Sequence, residues 1–121
     1  MISQVIEMEK IVQQALLYDF YGELLTEHQR KIYEDAVFGD LSLSEIAQEQ
    51  GISRQGVHDL IRRCDKTLAG YEEKLGLMEK FRQTKEKVEE IHRLTKEFME
   101  TDDKALIQKI GEISNEIIEL G

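Results

Sequence analysis

The stretch Ser42–Arg63, "SLSEIAQEQGISRQGVHDLIRR", holds two helix starts and one glycine within a span too short for anything but two brief helices and a tight turn. Ser42 and Glu45 stand three residues apart, the spacing at which a cap hydroxyl and an N3 carboxylate satisfy each other's free backbone N–H groups. Leu41 and Ile46 bracket that start at hydrophobic-staple spacing, and Ile52 and Val57 repeat the arrangement around Ser53. Two helices this close need a small residue where they meet, which Ala47 supplies. Four residues later the turn needs a positive φ, which Gly51 supplies at least cost. Ile46, Ile52, Val57, Leu60 and Ile61 fall where apolar side chains would lock the pair to a larger body. Gln50 departs from the pattern, since that position is ordinarily apolar. The spacing predicts a helix-turn-helix over residues 42–67.

Outward from this unit the chain reads as all-α. Residues Ile2 to Leu25 form a first helical segment, with Val5, Val12, Ala15, Leu16, Tyr18 and Phe20 at helical spacing and a break at Gly22. Thr26 and Gln29 make a second capping box for a helix ending near Val37, where Gly39 is expected to turn left-handed. After Gly70 a charged amphipathic stretch carries Leu77, Phe81, Val88, Ile91, Leu94 and Phe98, interrupted by Thr84, Lys85 and Thr95. A cap at Thr101 or Asp102 then opens a last helix with Leu106, Ile110, Ile113, Ile117 and Leu120. The expected organisation is a helical head over residues 1–70 and an amphipathic helical tail over 71–121. The tail serves either as a dimer interface or as packing for the head. Two half-sites about 34 Å apart on DNA favour the dimer.

With 121 residues, no proline and 34% charged residues, the chain suits one highly charged helical protein. No apolar run approaches the ~20 residues of a membrane span. The amino terminus lacks the basic region and continuous apolar stretch of a secretory signal, and a cytosolic location is expected. A single cysteine, Cys64, forms no internal disulfide and reads as a small core hydrophobe. His28, His58 and His92 fall on separate segments, no metal-ligand spacing occurs, and no glycine-rich phosphate loop is present. No catalytic residue, metal or cofactor is therefore expected, and an enzyme is not.

Charge locates the candidate site. The net charge is −9, yet residues 53–67 hold four basic side chains against two acidic ones. At 100° per residue, Gln55, Asp59, Arg62, Arg63 and Lys66 share one side of the second helix, with Arg54 and His58 flanking it near its start. Early residues of such a helix meet base edges and later basic ones meet phosphate. Gln55 suits adenine, Arg54 or Arg62 suits guanine or phosphate, and Asp59 is expected to pair with Arg62 or Arg63. Helix-turn-helix units also dock proteins, and the acidity elsewhere favours that use. Both partner classes stay open on these residues alone.

The segment "LTEHQRKIYEDAVFGDLSLSEIAQEQGISRQGVHDLIRRCDKTL" resembles the fourth region of bacterial sigma factors, whose helix-turn-helix, without a wing, recognises a promoter element. More closely, "LLYDFYGELLTEHQ", "DLSLSEIAQEQGISRQGVHDLIRR" and "YEEKLGL" resemble the YlxM-like family of small Gram-positive proteins, over about Leu16 to Leu77. Gly56 and His58 depart from the alanine and tyrosine expected there. The resemblance implies a DNA-binding regulator with Arg54, Gln55, His58 and Arg62 as contacts. It further implies a role in protein targeting by the signal recognition particle, with that particle's RNA and its GTPase as partners. The alternative it leaves is an adaptor of the GTPase that binds RNA or protein and no DNA.

Overall fold

The computed structural model describes residues 2–39 and 41–121, with side chains from residue 9 onward. Val5, expected on the apolar face of the first helix, lies outside the described side chains. Among the described residues there are six α-helices and no strand: α1 (Ile2–Tyr21), α2 (Glu27–Val37), α3 (Leu43–Gln50), α4 (Arg54–Leu75), α5 (Leu77–Thr101) and α6 (Lys104–Leu120), with a 3-10 turn at Gly22–Leu24. No described helix is long and apolar enough to cross a membrane.

Local chemistry accounts for the helix starts. Thr26 accepts from the Gln29 backbone N–H while Gln29 reaches back, and Ser42 and Glu45 do the same, completing both capping boxes. Ser53 accepts from the Gly56 N–H to open α4. At the end of α2 the expectation for Gly39 fails: Gly39 has no positive φ. A Cβ at Gly39 would sit 2.8 Å from the Asp35 carbonyl oxygen. Close approach of backbone, and not handedness, demands glycine there.

The chain divides into two units, residues 1–76 and 77–121. In the first, α4 is the hub against which α1, α2 and α3 all pack. Ile32, Ile46, Ala47 and Val57 form a buried cluster with Leu41, Leu43, Leu60 and Ile61 around it. Cys64 and Leu68 continue that face of α4 and are fully buried. Burial pushes the Cys64 thiol above its ordinary pKa, as suits a packing residue. Ile52, expected to help lock the unit, is instead exposed and lies over Gly56.

A polar network fastens α1 and α2 to α4. Asp65 accepts from the Tyr33 hydroxyl at 2.6 Å and from Gln14 Nε2 at 3.0 and 3.1 Å. Burial, then the hydrogen bond to Asp65, hold the Tyr33 hydroxyl protonated far above the usual tyrosine range. Tyr18 stacks on Tyr33 and donates to Glu34; burial and that bond push its pKa up to about 12.

Helix α4 does not stop at Gly70, where the boundary between head and tail was expected. It runs on to Leu75 and ends at Gly76, in the left-handed conformation with φ 63°. A glycine inside a helix costs roughly 1 kcal/mol and does not by itself end one. With no proline to break the backbone, only the second glycine stops it.

The second unit is a hairpin of α5 and α6, closed around buried Leu94 and Leu106 and tied by Lys87 to Glu116 at 2.8 Å. Its cap differs from expectation. Helix α5 extends through Thr101, whose hydroxyl donates back to the Glu97 carbonyl, and Asp102 adopts φ 55°. Asp103 then caps α6 by accepting from Ala105 N–H. The threonines that interrupt the stripe of α5 are satisfied internally, Thr84 by Lys80 O and Thr95 by Ile91 O.

Candidate nucleic-acid interface

The turn that presents α4 is built from backbone. Gly51 has φ 69°, and the Ala47 carbonyl accepts both the Gly51 and Ile52 N–H groups. That arrangement closes α3 and restarts the chain within three residues. Ala47 is buried where α3 meets α4, so a larger side chain would push the two apart. Gln50 is only half-buried, which explains how a polar residue is tolerated there.

With Val57, Cys64 and Leu68 held inward, helical geometry turns the other half of α4 outward. Arg54, Gln55, His58, Asp59, Arg62, Arg63 and Lys66 are all exposed, so every residue singled out from the sequence stands on one accessible face. At 1.5 Å rise per residue, Arg54 and Lys66 span about 18 Å along it. Among the described residues none of Arg54, Arg62, Arg63 or Lys66 has a carboxylate within ion-pair distance.

Asp59 behaves differently from expectation. It pairs with neither Arg62 nor Arg63, and instead accepts from Gln55 Nε2 at 2.9 Å, with His58 Nδ1 at 4.0 Å. The consequence is twofold. The arginines keep their full hydrogen-bonding capacity, and Gln55 is pre-oriented by a bond it must release or share before it can meet adenine. An exposed cluster of unpaired guanidinium and ammonium groups can bind phosphate by charge-assisted hydrogen bonds.

Asp65 is the residue that sequence reading undervalued, counted there only as a negative charge. It ties the inner side of α4 to α2 through Tyr33 and to α1 through Gln14. A signal existed: Asp65 lies roughly 40° and 60° around the helix from Ile61 and Leu68, on the inner side, where a carboxylate needs partners.

Comparison with known proteins gives a helix-turn-helix family over most of the chain. The family described as "Putative helix-turn-helix protein, YlxM / p13 like" matches residues 8–113. A UPF0122 protein of Thermoanaerobacter sp. (strain X514) is 42% identical over 107 residues, covering 88% of this chain and 92% of the relative. One of Acetivibrio thermocellus is 42% identical over 116 residues, covering 93% and 99%. One of Caldanaerobacter subterraneus subsp. tengcongensis is 51% identical over 77 residues, covering 64% and 66%.

Proposed function

Because the chain belongs to the YlxM / p13-like helix-turn-helix family, we propose that it binds nucleic acid through the outer face of α4. The observation that carries this is the cluster of Arg54, Arg62, Arg63 and Lys66, exposed and without acidic partners among the described residues on an otherwise anionic chain. Gln55 and His58, nearest the start of α4, approach base edges, and Arg62, Arg63 and Lys66 hold phosphate. DNA is the leading ligand, and regulation the expected outcome of binding it.

The finer parts of the proposal rest on the sequence resemblance. They are action in the cytosol within the signal recognition particle pathway, with that particle's RNA and GTPase as partners. A homodimer is supported by the apolar surface the tail leaves uncovered, including Val88 on α5 and Ile107 and Ile118 on α6, of which Ile118 is 73% exposed. The net charge of −9 favours a second reading, an adaptor of the GTPase that binds no DNA.

Titration of labelled duplex DNA and of the particle RNA across a salt series separates the two. Affinity that falls steeply with salt, with a slope reduced by about one in Arg62→Ala, supports phosphate contact by α4. Binding to the GTPase alone, with no nucleic acid held at low salt, replaces it with the adaptor. Sedimentation at twice the chain mass supports the dimer, and a monomer at micromolar concentration refutes it.

A further inference from the structure

Helix α1 carries an apolar face that the described chain does not use. Its inner side is set by Leu17 and Tyr21, both buried, and by Gln14, which bonds Asp65 of α4. Val12 and Leu16 each lie two residues from Gln14, so they point roughly 160° away from α4. Val12 is 57% exposed and Leu16 38%. They stand one turn apart, the spacing at which a helix presents anchors to a partner helix. Ile11, 51% exposed, lies about 100° round from Val12 and belongs instead to a groove of about 310 Å³ that Lys10 and Gln14 also line. The ridge is therefore Val12 and Leu16, turned away from that groove.

Charge decides what fits it. Glu9 stands three residues before Val12 and Asp19 three after Leu16, at the two ends of the ridge on the same arc of α1; both are exposed and neither has an ion-pair partner among the described residues. Residues 1–40 as a whole hold eight acidic and three basic side chains. A second copy of the chain laid on this face would set Glu9 and Asp19 against their own counterparts, a like-charge contact that opposes association. An anionic lipid surface is repelled for the same reason. We infer that the α1 ridge is a docking site for a basic amphipathic helix of a protein partner, with apolar anchors seated on Val12 and Leu16 and lysine or arginine beyond them meeting Glu9 and Asp19.

The ridge residues Val12 and Leu16 are not among those of the basic face of α4. The protein then bridges a nucleic acid and a cationic helical protein, which is more than nucleic-acid binding and does not depend on it.

The probe is a fluorescent synthetic helix of about 18 residues, leucine on one face and lysine on the other, titrated with the full chain in about 0.15 M salt. A basic peptide is drawn to any acidic protein, so the charge-neutral change Val12→Asn/Leu16→Asn is the decisive variant. Expected is a loss of at least about tenfold in affinity for the peptide, with nucleic-acid binding and sedimentation unchanged. Glu9→Gln/Asp19→Asn should weaken binding several-fold and flatten its salt dependence. Equal affinity of wild type and Val12→Asn/Leu16→Asn overturns the site. A shift of that variant from dimer to monomer also overturns it, by making the ridge a contact between copies. Should Leu16→Asn lower helical content, Val12→Asn alone, at a more exposed position, carries the same comparison: weakened peptide binding supports the site and unchanged binding overturns it.

Discussion

Arg62 on α4 and Arg82 on α5 both stand exposed on long amphipathic helices and have opposite fates. Arg82 has Glu79 three residues before it and Glu86 four after, and it bonds both at 2.5 Å. Arg93 repeats this spacing with Glu90 and Glu97. Arg62 has Asp59 three before it and, four after, Lys66. Asp59 is a carbon shorter than glutamate and is taken by Gln55, while Lys66 repels. Arg82 and Arg93 of the tail pair with carboxylates of their own helix, whereas Arg62 and Arg63 have no acidic partner among the described residues. Whether a helix pairs its own arginines thus depends on which residues stand three and four positions away, with the fold unchanged.

The largest expected effect comes from moving the tail's pattern into the head. Lys66→Glu completes an acid–Arg–acid arrangement around Arg62, removes one cation and adds one anion. Nucleic-acid affinity should fall by about a hundredfold and the salt slope by about two. Retained affinity would show that ligand binding lies elsewhere. Next, Arg62→Ala or Arg63→Ala should each cost about tenfold, whereas Arg82→Ala should leave binding unchanged; equal losses at Arg62 and Arg82 would dissolve the contrast.

Tyr33→Phe tests the polar anchor on the inner side of α4. It removes a hydrogen bond to a carboxylate, worth about 1.5–3 kcal/mol, and should lower the thermal midpoint while the folded fraction binds normally. Asp59→Asn should raise affinity a few-fold by deleting a charge beside the arginines.

The smallest effect is a pH dependence confined to the tail. Its hydrogen bonds to Arg82 hold the Glu79 carboxyl down at about 2, below its ordinary 4.5. A depressed carboxylate contributes above its ordinary pKa, and the contribution is lost as pH falls towards the folded value. Any difference in helicity between wild type and Arg82→Ala should therefore be present at pH 6 and vanish between about pH 4.5 and 2. A difference that persists at pH 2 would separate it from the ion pair.

Much of the fold is encoded at short range. The starts at Thr26, Ser42 and Ser53 and the turn at Gly51 each depend on residues within five positions, so their chemistry is complete in the local sequence. The same holds for the outward set on α4, because helical periodicity assigns faces once the apolar residues are known. The end of α4 was misplaced since Gly70 and Gly76 differ only in the backbone conformation the fold imposes. In sequence they are the same residue.

What the amino-acid order determined by itself was the helical class, the helix-turn-helix and the identity of the basic face. All follow from interactions across one or two turns. What only the tertiary structure decided was longer in reach: Asp65 joined to Tyr33 and Gln14, Gly39 pressed on the Asp35 carbonyl, Asp59 turned to Gln55, and α1 left with its apolar ridge uncovered. Periodicity says which side chains share a face, but whether a face is covered depends on where distant helices stop and how they pack.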